Sequence, residues 1–246
     1  HMKRVGFLAV LLSFVVVATL WLWHLGAPID AIVRGASGPP TLVLLHGYGS
    51  RADDWLQFEE RWHLPPHTQR LFLQAPARGP GRRGWWWLQL ERYVDPATQL
   101  PDLAAANPGG LALASTLVRE RIQGERGPLI LGGFSQGAMV AANIAFQTDQ
   151  PLQGLILIGG SPVNEAAWAE HFAGRRHLPI FIAHGRRDPT LSFALMERFQ
   201  QRLADFGLDV TWYPYDGGHS IPLDVIDQVN AFVGRVLQLE SPAGSH

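Results

Sequence analysis

The chain has 246 residues, 47% of them hydrophobic and 17% charged, with a formal net charge of -1. This composition supplies core for one α/β domain or at most two small ones, and the balanced charge carries no basic footprint for nucleic acid. The chain contains no cysteine, which excludes disulfides, thiolate metal sites and a thiol nucleophile and suits either side of a bacterial inner membrane.

In chain order, His1 ahead of Met2 reads as a cloning scar. Lys3 and Arg4 introduce an apolar run over 5–25, broken only by Ser13, Thr19 and His24. About 20 apolar residues at a rise of ~1.5 Å span a bilayer core of about 30 Å. The basic flank predicts a cytoplasmic amino terminus and an exported remainder, with Trp21 and Trp23 at the far interface. The expectation is a hydrophobic segment at 1–26 that acts as a signal anchor in the bacterial inner membrane. The domain that follows would then stand in the periplasm or outside the cell. One alternative is a cleaved signal peptide with Gly26–Ala27 near the cut, giving a secreted protein. Others are a buried helix of a cytoplasmic protein, a lid over the pocket, and an arm entering a neighbour's pocket in a homodimer. Signal-peptide cores are shorter, about 7–15 residues, and no polar face shows at helical spacing. Both points favour the anchor.

Residues 27–40 are rich in Gly, Pro, Ser and Ala and read as a linker. The domain proper is expected over 41–240. Its β-rich runs are 41–45, 71–73, 129–131, 155–158, 180–183 and 210–213. Helix-like segments lie near 53–62, 111–123, 136–147, 191–206 and 223–239. Apolar runs without alternation are the mark of strands covered on both faces. Alternating β and α segments predict a mostly parallel central sheet with helices on both faces. Residues 76–84 read as a long loop carrying Arg78, Arg82 and Arg83 and ending in Trp85, Trp86 and Trp87.

Gly133-Phe134-Ser135-Gln136-Gly137 matches G-x-S-x-G between a strand and a helix, where the motif has a mechanism. The sharp turn projects Ser135 at the carboxyl end of the sheet, and the following helix points free N–H groups at the same spot. A serine hydroxyl needs a base. His219, in a glycine loop between the last strand and last helix, can reach back to it. His46 and His184 each sit in a His-Gly pair at a strand end and read as residues that hold those turns. Asp188, in a loop directly after a strand, is the candidate acid for His219. Asp216 and Asp224 are its rivals, the first better suited to shaping the glycine turn and the second to charging a helix start. The backbone N–H groups of Gln136 and of Tyr48, in the loop after the first strong strand, are the candidate oxyanion donors. Trp86, Trp87 and Ser161 are candidate substrate-binding residues, the tryptophans at the site entrance and Ser161 on a pocket wall. The three arginines could meet an anionic head group.

"LVLLHGYGS", "FLQAP", "GGFSQGA", "AHGRRDPTLSF" and "GGHSIP" together resemble the phospholipase/carboxylesterase family of α/β-hydrolases, to which acyl-protein thioesterases and small bacterial carboxylesterases belong. The resemblance covers roughly 40–239. It implies the α/β-hydrolase fold, here preceded by an N-terminal hydrophobic helix, and a serine esterase with neither metal nor organic cofactor. It also implies Ser135, Asp188 and His219 as triad, with Tyr48 and Gln136 as oxyanion donors. The chain departs from the family in having Tyr48 where an aliphatic residue is usual, in the arginine-rich loop, and in the hydrophobic start of a mostly cytosolic family. The expected partner is a small-molecule or lipid ester, a lysophospholipid included. Thioester hydrolysis, peptidase activity and a non-catalytic binding role on the same fold are the alternatives.

Overall fold

The computed structural model describes residues 29–76, 84–86 and 88–238. The hydrophobic segment expected at 1–26, the three arginines of the 76–84 loop and Trp87 lie outside the described residues. Among those described, no helix is long and apolar enough to cross a membrane.

Seven strands form one sheet: β1 (Ala31–Arg34), β2 (Thr41–Leu45), β3 (Gln69–Leu73), β4 (Leu129–Phe134), β5 (Gly154–Ile158), β6 (Ile180–Gly185) and β7 (Val210–Tyr215). Their order is β1-β3-β2-β4-β5-β6-β7. All neighbours pair in parallel except β1, which runs antiparallel to β3 with Ala31 opposite Leu73. β1 corrects the expected linker at 27–40. Its four residues are half-buried to exposed, an edge strand too short and too open for an apolar run to announce it.

The sheet separates two apolar layers. Val43, Leu45, Leu71, Leu131, Leu157 and Ile182 face one, and Leu42, Leu44, Phe72, Ile130, Ile156 and Phe181 face the other. Successive residues of a strand point to opposite faces, so strands this apolar feed two cores at once. Each fully buried Leu or Ile contributes about 1.5–3 kcal/mol.

On the first layer lie helices α1 (Gly109–Ile122), α2 (Gln136–Gln147), α3 (Glu165–Ala169) and α4 (Phe193–Asp205). α2 is apolar nearly all round and almost entirely buried, as a central helix must be. Midway along it the Asn143 amide is satisfied on both sides, by Ser115 Oγ at 2.9 Å and Trp168 Nε1 at 3.0 Å. Phe146 packs on Trp168, Phe172 and Phe199 with centroids 5.0–6.5 Å apart.

The second layer is closed by α5 (Leu223–Gln238) and a 3-10 helix over Ala52–Arg61. α5 buries Val225, Ile226, Val229, Phe232, Val233 and Val236, the spacing of a single helical stripe. The helix expected near 53–62 is 3-10, and its buried residues, Ala52, Trp55 and Phe58, recur every three residues. Three residues per turn brings them onto one face.

Candidate active site

The chain runs from β2 outward to β3, then returns to place β4 on the other side of β2. Open α/β sheets bind ligands at the carboxyl edge where the order reverses in this way. The loop after β2 and the turn after β4 both lie there.

Ser135 closes β4 and opens α2 with φ 53° and ψ -118°, a conformation that L-residues seldom adopt. Strain of this kind costs on the order of 1–3 kcal/mol and persists only where the surroundings impose it. They do so here. Ser135 N–H donates to Ile158 O at 2.9 Å. A Cβ at residue 133 would overlap the backbone of Gly137, and one at residue 137 would overlap Leu45 O. The two glycines let helix and strands close around the serine. Ser135 is 8% exposed, enough for the hydroxyl to face the edge.

His219 Nε2 lies 2.9 Å from Ser135 Oγ, and His219 Nδ1 lies 2.7 Å from Asp188 Oδ2. Asp188 is anchored further. Its Oδ1 accepts from Thr190 N–H at 2.8 Å and Leu191 N–H at 3.0 Å. Burial by itself raises the carboxyl pKa. Hydrogen bonds from His184, His219 and the Leu191 N–H, with the His219 charge, together outweigh it and hold Asp188 well below the usual carboxylate range. An ionised Asp188 makes Nδ1 of His219 the protonated nitrogen. Nε2 is left free to take the serine proton.

The His219 loop is pinned from below. Tyr215 OH donates to Ser220 O at 2.6 Å. Burial, then the Asp188 and Asp224 charges, push this hydroxyl well above its ordinary pKa, so it remains a donor. A Cβ at residue 185 would overlap the carbonyls of Gly217 and Gly218, so β6 and the histidine loop pack backbone to backbone. His219 also rests on Phe134, with ring centroids 4.8 Å apart.

The other expected residues are placed as follows. Asp216 pairs with Arg187, and Asp224 accepts from Tyr213 OH at 2.7 Å; neither bonds His219. The loop after β2 hugs the serine, since a Cβ at Gly47 would stand 3.3 Å from Ser135 Cβ. That brings Tyr48 and Gln136 to the same edge. Gln136 is the first residue of α2, so its N–H has no partner within the helix. Ser161 is buried, with Oγ donating to Pro162 O at 3.3 Å. Trp86 is 3% exposed, and a Cβ at Gly110 would overlap its side chain.

The contacts of three side chains had no reading in the sequence. His184 Nε2 approaches Asp188 Oδ2 at 3.3 Å and Leu191 O at 3.2 Å, so Asp188 serves two histidines. The Gln136 side chain bonds Trp85 and Trp86, and the Trp85 indole bonds His46 O. The two His-Gly pairs were the visible signal for the histidines; the run of three tryptophans marked Trp85 but not its bond to His46. Among the described residues no group of His, Asp and Glu is arranged to hold a metal ion.

A mostly parallel sheet with a serine on its strand–elbow–helix turn, and an acid and a histidine from later strand ends in the order Ser, Asp, His, defines a serine hydrolase of the α/β-hydrolase fold. Within that class, the chain belongs to the phospholipase/carboxylesterase family, whose model matches residues 30–237. Acyl-protein thioesterase 1 of Eremothecium gossypii is 27% identical over 233 residues, which cover 88% of this chain and 96% of that protein. The crystal structure of esterase PE8 superposes with a TM-score of 0.69 at 27% identity, covering 85% of this chain and 100% of the esterase. Acyl-protein thioesterase 2 of Zea mays shares the fold, with a TM-score of 0.70 at 21% identity over 85% of this chain and 99% of its own.

Proposed function

We propose that the chain hydrolyses carboxylic esters through an acyl-enzyme on Ser135. The observation that carries this reading is the continuous line from Asp188 through His219 to Ser135, with spacings of 2.7 and 2.9 Å. Ser135 Oγ attacks the ester carbonyl as its proton passes to His219 Nε2. Asp188 holds the ring and stabilises the imidazolium. The oxyanion is met by the N–H groups of Gln136 and Tyr48. Collapse of the tetrahedral intermediate expels the alcohol, which takes the proton from Nε2. Water then attacks the acyl-enzyme, again with His219 as base, and releases the acid. Ser161 belongs to the pocket wall in this reading, and Trp86 and Trp87 are the candidates for contact with the acyl chain.

Ser135→Ala is the test. Turnover of p-nitrophenyl acetate should fall by a factor on the order of 10⁶, and fluorophosphonate labelling should vanish. Full activity in that variant overturns the reading.

Thioesters are the second substrate class, favoured by the relative named an acyl-protein thioesterase whose length this chain covers almost completely. The same oxyanion and base serve both bonds. A panel of p-nitrophenyl esters of rising chain length, a lysophospholipid and an acyl thioester separates them by kcat/KM. The apolar run at 5–25 supports attachment of this activity to a membrane. Retention of the full-length chain in carbonate-washed membranes checks that; release into the wash speaks against it.

A further inference from the structure

We infer that the segment Gly84–Trp86 is a spacer that sets the separation of the two oxyanion donors, and that Trp85 and the Gln136 side chain are positioning residues for that hole. The inference rests on the assignment of the donors to the backbone N–H groups of Tyr48 and Gln136.

The Gln136 amide is wholly buried one residue beyond the nucleophile and is mated to the segment at two points. Its Oε1 accepts from Trp85 N–H at 2.8 Å, and its Nε2 donates to Trp86 O at 2.9 Å. An amide paired with both a peptide N–H and a peptide C=O has its depth and its flip fixed together. The segment is thereby bolted to the first turn of α2.

Trp85 carries the link across the site. Its indole, also wholly buried, donates from Nε1 to His46 O at 2.8 Å. The His46 ring stands 5.5 Å from it, tilted by 37°. His46 is itself held from both nitrogens. Nε2 accepts from Ala75 N–H at 3.0 Å, so Nδ1 carries the hydrogen and donates to Gly47 O at 2.8 Å. Gly47 leads directly into Tyr48.

Gly84 makes the third contact. A Cβ there would stand 2.5 Å from Tyr48 Cδ2 and 2.9 Å from Gln136 Oε1. A bare Cα is therefore wedged between the two residues that bear the donors. Three consecutive residues touch 46, 48 and 136, through a backbone carbonyl, a ring and an amide. A tryptophan kept only for packing needs shape alone. Here the indole N–H, the Trp85 N–H and the Trp86 carbonyl are all spent on the two walls of the hole. Buried polar groups satisfied in this way specify one arrangement.

Two variants test the spacer. Trp85→Phe keeps an aromatic ring and removes the bond to His46 O. Gln136→Met removes both amide bonds and leaves the N–H of residue 136 in place. Turnover of p-nitrophenyl acetate is measured per active site titrated with a fluorophosphonate, together with inhibition by phenylboronic acid, whose adduct on Ser135 places an oxygen in the hole. A donor displaced by a fraction of an ångström should lower kcat about 10- to 100-fold with KM within about threefold. Affinity for the boronic acid should weaken by the same factor. Normal turnover per titrated site and normal boronic acid affinity, with only a lower melting temperature, overturn the inference. If one variant does not fold, the other decides on the same readings. Activity retained in Ser135→Ala sinks the proposed function itself. An inert Ser135→Ala beside unaffected spacer variants sinks the spacer alone.

Discussion

The two sides of Ser135 are built on different principles. On the β6–β7 side the proposed working atoms belong to side chains, His219 and Asp188, and the backbone around them serves to hold those side chains. On the β2 side the proposed working atoms belong to the backbone, at Tyr48 and Gln136, and side chains do the holding: His46, Trp85 and the amide of Gln136. Proton transfer needs a particular chemical group, so residue identity is fixed where the proton moves. Oxyanion binding needs only an N–H, which every residue but proline owns. Identity is then displaced onto the residues that aim it.

The sharpest way to break this contrast is Asp188→Asn. The amide cannot fix the His219 tautomer, and kcat should fall by a factor on the order of 10³–10⁴, measured per titrated site. That exceeds the loss expected from Trp85→Phe, which shifts a donor without removing it. Equal losses from the two variants would erase the difference between the sides.

The same carboxylate gives the β6–β7 side a pH signature. Asp188 has a folded pKa held below its unfolded value. Its contribution to stability is therefore complete above the ordinary carboxylate range, about pH 4–5, and is lost as pH falls toward the depressed folded value. Melting temperatures taken downward from pH 5 should drop less steeply in Asp188→Asn than in the parent chain. Parallel curves would show that the His219 and His184 bonds do not stabilise the charge.

A smaller effect is expected one layer further back. Tyr215→Phe removes the donor to Ser220 O beneath the His219 loop. One buried hydrogen bond is worth about 1 kcal/mol, and kcat should fall severalfold at most, since Asp188 still orients the ring. Chemical denaturation and single-site turnover measure the two parts. Smallest of all is Arg187→Met. The Arg187–Asp216 pair lies on the same loops, with side chains 68% and 75% exposed. Stability should change by less than about 0.5 kcal/mol, and a larger loss in thermal melting would show that the rim matters more than the floor.

The division between the two sides also explains what could be read in the chain. Ser135, Asp188 and His219 could be named because G-x-S-x-G, an aspartate after a strand and a histidine in a glycine loop are local patterns, each with its chemistry in one short window. The core strands were legible for the same reason: β2 and β5 each carry four consecutive aliphatic residues buried on both faces. β1 was not, because what makes Ala31–Arg34 a strand is its pairing with Leu73 to Arg70, some 40 residues on. The grip of Gln136 on Trp85 spans 51 positions and that of Trp85 on His46 spans 39. No window contains either. His184 lay between these cases: its place before a glycine at a strand end marked it as a turn holder, while its approach to Asp188 needed the loop to close.

The direction of β1 has a consequence for how the molecule is presented. Being antiparallel, it starts beside Leu73, the carboxyl end of β3, and Asp30 O accepts from Gln74 N–H at 2.8 Å at that same end. The polypeptide thus enters the domain on the edge that carries Ser135. β1 stands three strands from β4, about 14 Å at the usual strand spacing. Between the apolar run that ends at Leu25 and Ile29, which is already buried, only three residues intervene. At a reach of about 3.5 Å per residue, that is a very short leash. Whatever surface holds this chain by the residues ahead of Ile29 holds it mouth first.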